Sequence, residues 1–276
     1  MRQLVSRIAM AALILEGGAA VAQSRVIEET LVVKDPTVAP AGRGVFGASV
    51  EALYVNAPFK NRVNTDGTLE DGRAKATSAG GNVFAGVGDF TAAFTYRNAR
   101  GQSTLTHEVS ASEPVRYQHR VEAVPKQEEI FLRWLGRGLS TSWLTPYLYV
   151  GYTRLNSDFD DIRETGTWAA TGTNRLRSKV ESKAFIGGLG GIVPFSESFG
   201  FRGDIGVIRA RQSTDRQGDP HAEGTGTGSR WTGTFYYNVT QNVNAQLGAR
   251  YEYFNGGRAG SMTIAGIFAM VGFTFK

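Results

Sequence analysis

VNAQLGARYEYF, residues 243–254, puts Val243, Ala245, Leu247, Ala249, Tyr251 and Tyr253 on one side of an extended chain and Asn244, Gln246, Gly248, Arg250 and Glu252 on the other. Side chains alternate across a strand, so a period of two sustained this long reads as β-structure and not as helix. One face is apolar and aromatic, while the other carries amides and a charge pair. A soluble sheet would turn the oily face toward a core. A membrane barrel would turn it toward lipid and seal the charges inside.

The same alternation recurs outward from this stretch. Phe46, Ala48, Val50, Ala52 and Tyr54 oppose Gly47, Ser49 and Glu51, and Phe90, Ala92, Phe94 and Tyr96 oppose Asp89, Thr91, Ala93, Thr95 and Arg97. Phe199, Phe201, Ile205 and Val207 oppose Arg202 and Asp204, and Trp231, Phe235, Tyr237 and Val239 oppose Thr232, Thr234, Tyr236 and Asn238. Ala265, Ile267, Ala269, Val271, Phe273 and Phe275 share a face at the C-terminus. Three segments carry apolar residues on both faces, and the sequence leaves their facing open: 115–135, 143–156 and the glycine-rich 179–194. In the first two, Ile130, Leu132 and Trp134, then Leu148, Val150 and Tyr152, are candidates for the outer face.

Ten strands joined as hairpins are predicted near 44–56, 74–87, 89–98, 115–135, 143–156, 179–194, 198–212, 229–240, 243–255 and 261–275, with Pro125 interrupting the fourth so that it starts only near Gln127. Links on one side are short (86–89, 137–142, 194–198, 239–242). Those on the other are long and polar (57–75, 98–115, 156–179, 212–229), apart from the brief 255–260. An even strand number, short turns at one end, long links at the other and aromatics toward strand ends are the signature of a transmembrane barrel. In hydrocarbon every backbone N–H and C=O needs a partner, which forces a sheet to close on itself. The fold class expected is therefore all-β: an antiparallel up-and-down transmembrane β-barrel of about ten strands.

The first residues fit that destination. Arg2 and Arg7, the apolar run 8–15 and the small residues ending Ala20-Val21-Ala22 read as a cleaved secretory signal peptide, residues 1–22, too short to span a bilayer as a helix. Residues 23–43, with Pro36 and Pro40, read as an N-terminal periplasmic extension, and 44–276 as the barrel. There is no cysteine, which excludes disulfides and thiolate metal sites. Removing Arg2, Arg7 and Glu16 takes the formal charge from +5 to +4, spread along the chain with no basic stripe, so no nucleic-acid partner is expected. The 35 glycines beside 11 % aromatics suit curved strands better than a disordered chain.

The closing stretch IFAMVGFTFK, residues 267–276, resembles the last strand of bacterial outer-membrane proteins, with Phe273 and Phe275 in the alternating positions and Lys276 added at the end. At the level of architecture, residues 44–276 resemble the small outer-membrane β-barrels broadly like OmpA or OmpW and the porin-like families. The resemblance implies location in the bacterial outer membrane, contact with its lipid and lipopolysaccharide, and recognition by the barrel-assembly machinery through the C-terminal strand.

With the oily faces outward, Glu51, Thr95, Arg97, Arg202, Asp204, Asn244, Gln246, Arg250 and Glu252 face the lumen. In so narrow a barrel they form either a self-compensating plug or a narrow path, and the path would favour small anionic solutes because Arg97, Arg202 and Arg250 outnumber nearby acids. The function expected is structural or porin-like and non-enzymatic, with no cofactor and no metal. Two alternatives differ in class. Asp219-Pro220-His221, with Asp158, Asp160 and Asp161 on the preceding long link, resembles the acid and histidine groups that activate water in the omptin surface proteases. A soluble exported barrel holding an apolar ligand is the other. Gly187-Gly188-Leu189-Gly190-Gly191 lacks the helix of a phosphate cradle and reads as strand curvature, the Asp158–Asp161 spacing lacks the glycine and glutamate of a calcium loop, and Trp134, Trp143 and Trp231 read as interfacial anchors.

Overall fold

The computed structural model describes residues 35–39, 44–63, 68–108, 116–163, 174–217, 220–255 and 261–275. The expected signal peptide, residues 1–22, lies outside them. The strands are β1 (Gly44–Val63), β2 (Thr68–Val87), β3 (Phe90–Glu108), β4 (Arg116–Leu135), β5 (Thr145–Arg163), β6 (Arg175–Pro194), β7 (Phe199–Arg216), β8 (Ala222–Asn238), β9 (Val243–Asn255) and β10 (Ser261–Phe275). Each pairs antiparallel with the next, and β1 closes on β10 from Phe46↔Phe275 to Val55↔Gly266, so the sheet has no free edge.

The alternation sets the two walls. Phe46, Val50, Phe94, Ile205, Val207, Leu247, Ile267 and Phe273 are exposed on the outside, whereas Glu51, Thr95, Arg250 and Glu252 are buried inside. In a soluble protein this exterior would be an unacceptable apolar surface; against acyl chains it is the matching one. Phe46, Phe90, Trp134, Phe199, Tyr237 and Phe275 ring the short-turn end of this belt, and Tyr54, Tyr96, Tyr251 and Tyr253 ring its far edge. Phe46 to Tyr54 is about eight residue steps, which at ~3.3 Å each and a tilt of ~40° gives roughly 20 Å of height, close to the apolar band of such barrels.

The strands are longer than the alternation predicts. Most of the segments 57–75, 98–115, 156–179 and 212–229, expected as loops, are strand: β1 runs to Val63, β3 to Glu108, β5 to Arg163 and β7 to Arg216. Beyond the lipid both faces meet water, so the backbone stays paired while the hydropathy period that would reveal it disappears. β9 and β10 are the exceptions, with 13 and 15 residues against 17–20 elsewhere. Pro125 does not delay β4. Its missing N–H costs the β3–β4 ladder the pairs between Asn98↔Lys126 and Gly101↔Ala123, while Pro125↔Ser157 keeps the β4–β5 register.

The three segments of open facing owe their ambiguity to an apolar core inside the barrel. Ile130, Leu132, Trp134, Leu148, Val150, Phe185 and Leu189 are exposed to the outside, while Leu135, Tyr147, Tyr149, Ile186 and Ile192 pack inward around Val38, with Phe131 against them. Two glycines of the β6 run, Gly188 and Gly190, serve this core. A Cβ on Gly190 would lie 2.3 Å from the Tyr147 ring and one on Gly188 2.7 Å from the Tyr149 ring, so both are hollows that seat tyrosines.

Candidate functional site

The lumen is crossed by two layers of polar contacts. In the upper layer Glu51 of β1 accepts from Arg97 of β3 (2.5 and 3.0 Å), and Arg97 stands 3.8 Å from Glu129 of β4. Glu129 accepts from Arg230 of β8 (2.8 Å) and Arg250 of β9 (2.7 Å), and Glu252 accepts from Arg250 (2.5 Å) and faces Arg230 at 3.4 Å. In the ring order β9 lies opposite β4, so the cluster joins facing walls. Arg230 also lies 4.6 Å over the Phe131 ring, a cation–π contact. Charges this buried require partners, and here each has at least one.

The lower layer is built around residues 35–39. Asp35, Val38 and Ala39 are fully buried. Arg202 of β7 donates to both Asp35 carboxylate oxygens (3.1 and 3.0 Å) and to Thr37 Oγ1 (2.9 Å). Three strands further round the ring, Arg133 of β4 donates to Thr37 O (2.9 Å) and Oγ1 (2.8 Å), and Thr91 Oγ1 donates to Thr37 O (3.2 Å). Thr274 of β10 donates to Pro36 O, and Arg137 to Ala39 O. The segment thus sits in the mouth of the barrel at the short-turn end. Between the layers is a cavity of about 180 Å³, lined by Thr37 at one end and by Arg97, Glu129, Arg230 and Arg250 at the other. Arg133 Nε, on a residue of its wall, has no hydrogen-bond partner in the protein, and the space is large enough to hold water beside it.

Glu51, Arg97, Arg250 and Glu252 therefore meet in the upper layer. Arg202 and Gln246 (3.1 Å) join in the lower one, where the Tyr147 hydroxyl donates to Asp204 (3.3 Å). Glu129, Arg133, Arg230 and Asp35 were not among the candidates. Glu129 and Arg133 stand on a strand whose facing hydropathy leaves open, Arg230 falls in the inward phase of β8 just before the stretch that reveals it, and Asp35 reaches its partner across 167 positions of sequence. Counting them changes the balance. Among the described residues Arg97, Arg133, Arg202, Arg230 and Arg250 face Asp35, Glu51, Glu129, Asp204 and Glu252, so the surplus of arginine expected from sequence is absent.

The acid–histidine set is not brought together. Asp158 and Asp160 lie on the outer face of β5, in phase with Leu148 and Val150, and Asp160 is bonded by Arg175. His221 precedes β8, with β6 and β7 between. Its Nδ1 is 2.5 Å from Asp215 and its Nε2 3.3 Å from Glu223, and hydrogen bonding to these two carboxylates raises its pKa above the usual histidine value. Asp219 lies outside the described residues, and the side chain of Asp161 does too.

No protein-family model and no curated protein sequence matches the chain. Solved structures do. The outer-membrane protease OmpT of Escherichia coli is similar at a TM-score of 0.56 and 13 % identity, covering 83 % of this chain and 94 % of its own. The translocator domain of the autotransporter NalP of Neisseria meningitidis aligns over 98 % of this chain and 97 % of its own at a TM-score of 0.46 and 13 % identity. An outer-membrane channel of Pseudomonas putida F1 covers 87 % and 98 % at 0.39 and 8 %. The fold is that of a bacterial outer-membrane β-barrel, and with the apolar belt it puts the chain in that membrane.

Proposed function

We propose that this is a non-enzymatic outer-membrane barrel with a porin-like lumen that residues 35–39 hold shut: a structural element at rest, and a narrow path for small polar solutes when that segment withdraws. The observation that carries the reading is the seat of Asp35 and Thr37 between Arg202 and Arg133, next to a cavity of about 180 Å³ with charged side chains on its wall and not a fully packed core. Equal numbers of acids and arginines favour small polar solutes of either sign over anions alone. Planar-bilayer recording tests it. The wild type stays near baseline, whereas Arg202→Ala, or deletion of residues 35–39, gives discrete conductance steps. A large steady conductance in the wild type would overturn the plug, and silence in both variants would overturn the path. Peptide cleavage by the wild type that His221→Ala abolishes would overturn the non-enzymatic part.

A further inference from the structure

The charged groups of the lumen fall into bonded sets that leave one cation and one anion over. Arg97 takes Glu51, Arg230 and Arg250 share Glu129 and Glu252, and Arg202 takes Asp35, so the charge within each set cancels. Arg133 of β4 and Asp204 of β7 remain, and among the described residues neither takes part in an ion pair. Both line the cavity between the two layers, and both keep part of their surface open, whereas Glu129, Arg230 and Arg250 are buried.

Tyr147 touches both of them. The Arg133 guanidinium lies over its ring, 5.4 Å from Cζ to the centroid, and its hydroxyl divides one proton between Gly203 O (3.2 Å) and Asp204 (3.3 Å), so the carboxylate receives only part of a bond. Tyr147 reaches that far because Gly190, which pairs with Tyr147 on one side and with Asp204 on the other, carries no side chain. The bonds of Arg133 to described residues all leave from Nη2, toward Thr37 and Thr91, and its Nε has no acceptor in the protein. A charge held away from bulk water needs a counter-charge or hydrogen bonds that use its capacity. A lone anion bound here would answer Arg133 and add negative charge beside Asp204, and a lone cation would do the reverse. A solute that carries both signs answers both residues and leaves the sum at zero. At ~30 Å³ per water, the 180 Å³ of the cavity is room for about six heavy atoms, which restricts that solute to a small one.

We propose that this cavity binds a small zwitterion of the α-amino acid class, its carboxylate on Arg133 and its ammonium on Asp204, alongside Tyr147. Charge-assisted hydrogen bonds at both ends fix its orientation. The proposal names the solute of the lumen and rests on the reading of that lumen as a path, which is what brings a solute to the cavity.

The test uses the full-length barrel folded in detergent micelles and brought to equilibrium by dialysis against radiolabelled L-alanine, acetate or methylammonium, so that slow passage past residues 35–39 delays the end point without changing it. The wild type retains alanine saturably and binds acetate and methylammonium at least about tenfold more weakly. Arg133→Gln and Asp204→Asn each weaken alanine binding by about tenfold or more, and they divide the single ions between them: Arg133→Gln, with Asp204 left alone, gains methylammonium, whereas Asp204→Asn gains acetate. A residue that only held the fold would not reverse the sign of the preferred ion. Both variants must keep the faster gel migration of the unboiled barrel, and Asp204→Asn, which preserves the size of the side chain and an acceptor for Tyr147, carries the test if Arg133→Gln does not fold. No saturable alanine binding by the wild type, equal binding of the three probes, or undiminished alanine binding in Asp204→Asn would each overturn the proposal. Conductance steps in Arg202→Ala without alanine binding would overturn this site and leave the path. Alanine binding by a barrel that stays silent in Arg202→Ala and in the deletion of residues 35–39 would overturn the path and leave the site.

Discussion

The middle of the lumen and the outer wall above the belt use the same chemistry with opposite consequences. Inside, Glu129 joins Arg230 and Arg250 across 101 and 121 positions of sequence, and all three are buried. Outside, Arg154 meets Glu181 on the neighbouring strand, and both keep water. A buried ion pair is costly to break because the abandoned charge has no solvent to turn to. An exposed pair trades one set of solvating partners for another. Distance in sequence follows the same line: contacts across the lumen fix which strands face each other, whereas those on the wall only decorate neighbours already paired.

The largest effect expected from this contrast is at Glu129. Glu129→Ala leaves Arg230 and Arg250 with only Glu252 between them, and lowers stability by about 3–5 kcal/mol, read as the shift in the urea midpoint for loss of the compact gel form. A loss below about 1 kcal/mol would mean that water already fills the cluster, and would erase the distinction between the two regions. Arg154→Ala on the outer wall sits at the other extreme and costs less than about 1 kcal/mol by the same assay. The smallest effect concerns His221. Its folded pKa is raised, so the stability from its contacts to Asp215 and Glu223 is present below the unfolded value near 6.5 and lost as pH rises through the folded one. Protease nicking of the hairpin between β7 and β8 should therefore increase with pH above about 6.5 in the wild type and be flat in His221→Gln. A flat wild-type profile would remove His221 from any role in holding that hairpin.

Legibility follows solvent contrast. The outward set of β9 could be read because lipid and lumen differ sharply across it, and Arg97, Arg202, Arg250 and Glu252 were found by the same alternation. Where the contrast vanishes, so does the signal. The upper parts of β1 to β8 see water on both faces and resemble loops, although their backbones are paired. Phe131, Tyr147 and Ile186 blur β4 to β6 because part of the interior is itself apolar. Glu129 and Arg230 are in plain view in the sequence, yet nothing local marks them as partners, since their meeting depends on which strands end up opposite. The segment in the barrel mouth was the least visible, because Asp35 to Ala39 carries no periodic pattern and takes its place from Arg202, Arg133 and Thr274.

The short β9–β10 hairpin has a consequence for the shape of the mouth. The β8–β9 ladder ends at Gly228↔Phe254, but β8 continues for Ala222 to Thr227 beyond it, about 20 Å further along the strand at ~3.3 Å per residue. The collar standing above the outer leaflet is therefore uneven, tall through most of its circumference and cut down on one side. Molecules skimming the membrane surface meet a low sill there, so the approach to the interior is lateral as much as axial.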